Sequence, residues 1–146
     1  NNLKRNDWDG LTFNSSQTYY DLWALSLKHL VYSCWHFKQP NTIQIYNDAI
    51  QHLFRTCPPR ELIFVYSAFN GFAIYRTRKF IDSCYDGQSR LDLIPPFLME
   101  ENKRVCGEIT PYYWGGPDQD SEHRSFHLHA KFQNDAVVAI SPEILF

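Results

Sequence analysis

The densest run of side chains able to do chemistry is Asp120-Ser121-Glu122-His123-Arg124-Ser125-Phe126-His127-Leu128-His129. As a helix, it is capped by Asp120 or Ser121 and carries Glu122 near its positive end. His123 and His127 then form an i, i+4 pair on one face. Three chemistries fit this pattern. One is a surface helix with an acidic start and solvated histidines. Another is a metal site built from His123, His127 and a carboxylate, although the order is E-H-x-x-x-H rather than H-E-x-x-H and the sequence offers no third ligand. The third is a general base, with Glu122 taking the proton of an attacking hydroxyl.

Two further clusters combine rings with polar groups. In Ser67-Ala68-Phe69-Asn70-Gly71-Phe72-Ala73-Ile74-Tyr75-Arg76, Gly71 interrupts a buried strand. It provides either a backbone conformation closed to other residues or room for a ligand, or it marks an ordinary hairpin turn. In Tyr19-Tyr20-Asp21-Leu22-Trp23-Ala24-Leu25, Asp21 can accept sugar hydroxyls while Tyr20 and Trp23 pack on the apolar face of the sugar. The same letters also suit a helix with Asp21 in its first turn and Trp23 in the core.

These clusters need elements to hold them. The spacing predicts a strand over Trp8–Phe13, closed by Asn14-Ser15-Ser16, and a helix in the Asp21–Leu30 section. A second helix is expected over Ile43–Arg55, capped by Asn41 or Thr42 and ended by Cys57-Pro58-Pro59. Glu61–Ser67 and Phe72–Tyr75 read as strands, and Thr77–Cys84 as a short helix with Phe80 and Ile81 inward. Tyr85–Met99 and Glu108–Asp120 read as loops, of the kind that often hold ligands. A helix starting near Ser121 and a strand over Ala136–Ile140 complete the chain. The order implies an α/β or α+β domain with a mixed sheet.

Composition limits the classes of function. With 44% hydrophobic and 21% charged residues, the 146-residue chain has the balance of one folded domain. Eleven Phe, nine Tyr and four Trp are enough to line a ring-stacking site as well as a core. A net charge of −2 argues against a nucleic-acid partner, which selects for basic excess. Cys34, Cys57, Cys84 and Cys106 form no C-x-x-C pair, so free thiols in a reducing, cytoplasmic compartment are expected. No run reaches the ~20 apolar residues of a membrane helix, and no signal peptide is visible.

Taken in order, WDGLTFN, YYDLWALS, SAFNGFAIYRTRKF, SCYDG and SEHRSFHLHA…AISPEILF resemble the later half of a GT-A fold glycosyltransferase. The group they are most similar to includes enzymes of large DNA viruses. The resemblance runs from about Trp8 to Phe146. It departs from the family at Asn70, where Gly is usual, at Ser26, where Arg is common, and at Ser121, which is often Cys. The resemblance implies a partial GT-A domain with a mixed sheet, residues 1–146 being its acceptor-side portion and the nucleotide-binding N-terminal half being missing. It implies transfer of a sugar from a nucleotide-diphosphate sugar to a hydroxyl of a glycan or protein acceptor, with inversion. Glu122 is then the catalytic base and His123 the second choice. Asn14, Tyr20, Asp21, Trp23, Phe69, Asn70, Gly71 and Phe72 would border the substrate cleft. A divalent metal, Mn²⁺ or Mg²⁺, would accompany the donor, with His127 reaching the diphosphate or the metal. Asp7-Trp8-Asp9 has the letters of the family's metal-binding Asp-x-Asp, but only six residues precede it and Asp9 belongs to the following strand. The missing half is itself an expected partner. A non-catalytic carbohydrate-binding module, a degenerate transferase and a His-based metal hydrolase remain as alternatives.

Overall fold

The computed structural model describes residues 2–15, 18–36, 41–106 and 119–144. Its frame is a four-stranded sheet. β1 (Gly10–Asn14), β2 (Ile63–Val65), β3 (Ala73–Tyr75) and β4 (Val138–Ile144) lie in the spatial order β2-β4-β1-β3. β1 and β4 are parallel, with Leu11 opposite Ala139 and Thr12 opposite Ile140, while both edge strands run antiparallel. The sheet is mixed and the coarse class is α/β, as the element order implied.

Alternation along the strands divides the apolar residues between two faces. Ile63, Val65, Val138 and Ile140 join the larger core, where all three long helices bury side chains. These helices are α1 (Thr42–Thr56, with Tyr46 and Ile50), α2 (Pro96–Cys106, with Leu98) and α3 (Glu122–Asn134, with Phe126, Leu128 and Ala130). Among the described residues, a smaller cluster of Trp8, Leu11, Phe13, Leu62 and Ala139 is buried on the opposite face, with Ile74 packed against it. The amino-terminal turn covers part of that face. There Trp8 Nε1 donates to the Asn2 carbonyl at 2.9 Å, and Asn2 Nδ2 donates to Ser141 Oγ at 2.9 Å. Gly10 sits under Phe80 and Tyr75, and a Cβ there would come within 3.0 Å of the Phe80 ring.

Three expected elements differ. Asp21–Leu30 is not helical. Its backbone is bound instead by other segments: Ser26 N–H donates to the Ser67 carbonyl at 2.8 Å and Tyr66 N–H to the Ser26 carbonyl at 2.9 Å. Apolar spacing close to 3.6 arose from a stretch buried on several sides rather than from an amphipathic face. Thr77–Cys84 contains a single 3₁₀ turn, Thr77–Lys79, and Ile81 is exposed although Phe80 is buried as expected. The stretch Tyr85–Met99, read as loop, contains the start of α2 at Pro96, a residue favoured in a first helical turn. Most of the expected 108–120 loop lies outside the described residues. α1 follows Asn41, which has a left-handed backbone and makes no side-chain cap bond.

Candidate active site

The start of α3 and the irregular segment 20–35 meet at an open cavity of about 420 Å³. It is lined by Tyr20, Asp21, Leu22, Trp23, Cys34, Trp35, Ile43, Ser121 and Glu122. Such a volume is within the usual span of small-molecule sites, roughly 300–1,000 Å³. Carboxylates a hundred positions apart in sequence therefore share one hollow.

The segment is held by polar side chains that replace its missing regular structure. Asn70, buried, accepts the Tyr20 N–H through Oδ1 at 2.6 Å and donates through Nδ2 to the Phe13 carbonyl at 3.3 Å. Asp21 Oδ1 accepts the Ala24 N–H at 3.0 Å, which fixes its carboxylate at the cavity wall. Val31 N–H donates to Asn102 Oδ1 at 2.7 Å, and its carbonyl accepts from Ser26 Oγ at 2.6 Å and from Arg124 Nη2 at 2.7 Å. Trp23 and Trp35 meet edge to face at 5.9 Å, forming a rigid aromatic corner.

Glu122 is exposed at the first turn of α3, where the helix end favours negative charge. Next to it, His123 stacks on Phe69 with ring centroids 3.6 Å apart and meets the Tyr85 ring edge-on at 5.3 Å. Its Nε2 lies 4.0 Å from Glu122 Oε1. Burial lowers the His123 pKa, opposed by the nearby Glu122 and Asp21, so the ring is biased towards its neutral, proton-accepting form. Burial likewise raises the Asp21 carboxyl, and Glu122 adds to the rise while the Ala24 N–H and His123 oppose it.

Beneath the cavity floor lies a sealed polar network. Asp120 Oδ2 is 3.3 Å from Arg124 Nε and 3.4 Å from His36 Nε2. All three side chains are buried, Arg124 completely. Burial pushes the Asp120 carboxyl up to about 6, although the Arg124 guanidinium pulls it down. Burial and the same guanidinium push His36 down to about 3, so the His36–Asp120 approach joins a neutral ring to the acid rather than two charges. A second sealed chain runs from Ser67 Oγ to His127 Nδ1 at 3.0 Å and from His127 Nε2 to Tyr75 OH at 2.9 Å.

The sequence expectations divide accordingly. Tyr20, Asp21, Trp23 and Glu122 line one cavity; His123 and Phe69 stack beside Glu122. Asn70, Gly71 and Phe72 do not line it. Asn70 is a buried strut, Gly71 occupies a left-handed turn at φ 87°, and Phe72 packs on Phe13 at 5.6 Å. Asn14 ends β1, and its Nδ2 is 3.4 Å from the Pro142 carbonyl. His127 is not available to a metal: both ring nitrogens are engaged, and burial pushes its pKa down to about 3. The same enclosure removes one ligand from the hydrolase alternative. Asp7 pairs with Arg5, and Asp9 Oδ2 accepts the Val137 N–H at 3.0 Å, which binds β1 to the approach of β4. Among the described residues no group of three or more His, Cys, Asp or Glu side chains could hold a metal ion.

Sequence reasoning missed Trp35 and the Asp120–Arg124–His36 network. The i, i+4 spacing of Asp120 and Arg124 was a usable signal, but nothing local marked either residue as buried. Cys34, Cys57 and Cys84 are free thiols, and no helix among the described residues is long and apolar enough to cross a membrane. No family model matches the chain, and no curated protein or solved structure is significantly similar to it.

Proposed function

We infer that the chain is the acceptor-side portion of a GT-A-type glycosyltransferase domain. It moves a sugar from a nucleotide-diphosphate sugar to a hydroxyl of a glycan or protein acceptor, with inversion at the anomeric carbon. The observation that carries this reading is the shared cavity, whose lining includes Asp21, the Trp23–Trp35 corner and Glu122 and whose volume is large enough for a sugar. The order of the five sequence motifs adds to it.

In this reading the acceptor ring lies against the tryptophan corner and is oriented by the fixed Asp21 carboxylate. Glu122, on the solvent side of the same hollow, takes the proton of the acceptor hydroxyl. The oxygen attacks the anomeric carbon as the bond from that carbon to the diphosphate breaks, and the electron pair leaves with the nucleoside diphosphate. His123 holds the base side of the cavity through its stack on Phe69 and, being biased to neutrality, is the second candidate for the base.

The test is transfer itself. The full-length protein, incubated with a panel of nucleotide-diphosphate sugars and glycan acceptors, should release nucleoside diphosphate in an acceptor-dependent way. The product should have the opposite anomeric configuration to the donor. Acceptor-independent release alone, or none with any donor, overturns the assignment. Retention of configuration removes Glu122 from the role of base.

A further inference from the structure

The charges around the cavity restrict what it can admit, beyond the reaction class on which this step rests. Of the nine described lining residues, two are carboxylates, Asp21 and Glu122, and none is Lys or Arg. The remaining wall is aromatic or aliphatic apart from the Tyr20 hydroxyl, Cys34 and Ser121. Asp21 cannot turn away from an occupant, because Oδ1 is held by the Ala24 N–H. The tryptophan corner offers flat apolar surface to the C–H face of a pyranose, while the carboxylates accept from hydroxyl or ammonium groups.

We propose that the cavity admits an uncharged or amine-bearing pyranose as the acceptor unit and rejects uronic acids and other anionic sugars. Exclusion comes from two like charges in a partly desolvated hollow, where an incoming carboxylate would find repulsion and, among the described lining residues, no Lys or Arg to offset it. Asp21 is then a specificity-determining residue, and the Trp23–Trp35 corner supplies affinity without discriminating charge.

Ligand-observed NMR titration of the full-length protein, without donor, reads this directly. The probes are methyl glycosides of glucose, galactose, mannose and glucosamine, set against methyl glucuronide and methyl galacturonide at pH 7. At least one neutral or amino glycoside should bind, and both uronides should bind at least ~5-fold more weakly than their parent hexosides. Asp21→Asn retains the Oδ1 acceptor for Ala24 and should narrow that ratio at least ~3-fold. Trp35→Leu should weaken every glycoside together and leave the ratio unchanged. Uronides binding as well as their parent sugars, a ratio indifferent to Asp21→Asn, or no binding by any glycoside overturns the proposal. Because no donor is present, a protein that selects neutral glycosides but transfers nothing refutes the transferase reading alone. One that transfers to uronides as readily as to neutral sugars refutes this inference alone.

Discussion

Glu122 and Asp120 lie two residues apart and belong to opposite worlds. Glu122 stands exposed in the lining of an open cavity that Asp21 and a tryptophan corner also line. Asp120 is sealed below with Arg124 and His36, and its neighbours are protein alone. One turn further along α3 the same contrast separates His123, at the cavity margin, from His127, which is enclosed with both nitrogens bonded. Residue type therefore does not separate these groups. Access does: Asp120 and His127 are enclosed by protein, whereas Glu122 and His123 lie where the proposed proton transfer would need them.

The largest effect expected from breaking this division is on the sealed side. Arg124→Ala removes the cation from a fully buried network and leaves Asp120 without it. Urea unfolding should show a loss of about 3–5 kcal/mol, and a loss under 1 kcal/mol would show that the network is dispensable. On the open side, Glu122→Gln should leave stability unchanged and reduce turnover at least ~10²-fold, equivalent to about 2.7 kcal/mol in barrier height.

Acid should act on the sealed groups in a defined sense. His36 and His127 have folded pKa values lowered to about 3. Their contribution is complete above an unfolded pKa of about 6.5 and is lost as pH falls below it. Asp120 works the other way: its folded pKa of about 6 exceeds the unfolded value, so lowering pH through 6 recovers stability. Two losses against one gain give a net fall of roughly 2–3 kcal/mol between pH 7 and pH 5. Urea midpoints at the two values measure it, and His127→Asn should flatten the dependence. The smallest effect belongs to Gly71→Val, which forces a branched residue into a left-handed turn at about 1–2 kcal/mol. Because Gly71 does not line the cavity, turnover per folded molecule should survive, as a transfer assay corrected for folded fraction would show.

How much of this was legible beforehand follows from the range of the forces involved. β1, α1 and α3 carry their period in adjacent residues and were read near their observed bounds, whereas β4 starts two residues after the expected Ala136 and runs past Ile140 through Ser141 and Pro142 to Ile144. Strand 63–65 and its turn into β3 were equally visible, because β-rich residues bracket a glycine. Segment 21–30 was misread because the Ser26 backbone is bonded to Tyr66 and Ser67, and that of Val31, just beyond it, to Asn102 and Arg124, partners no local window contains. The open site was half legible. Tyr20, Asp21, Trp23 and Glu122 announced themselves by type, yet the turn at Gly71 was expected beside them and instead props the segment through Asn70. His127 was placed at a metal or diphosphate, and Asp120 at a helix cap, for the same reason: enclosure is a property of the whole fold.

The most direct measurement is single-turnover sugar transfer by the full-length Glu122→Gln protein, with its unfolding free energy determined on the same sample. A hundredfold slower transfer at unchanged stability is the predicted result. Transfer at the unaltered rate by a protein equally stable would contradict the division between open chemistry and sealed structure at the start of α3.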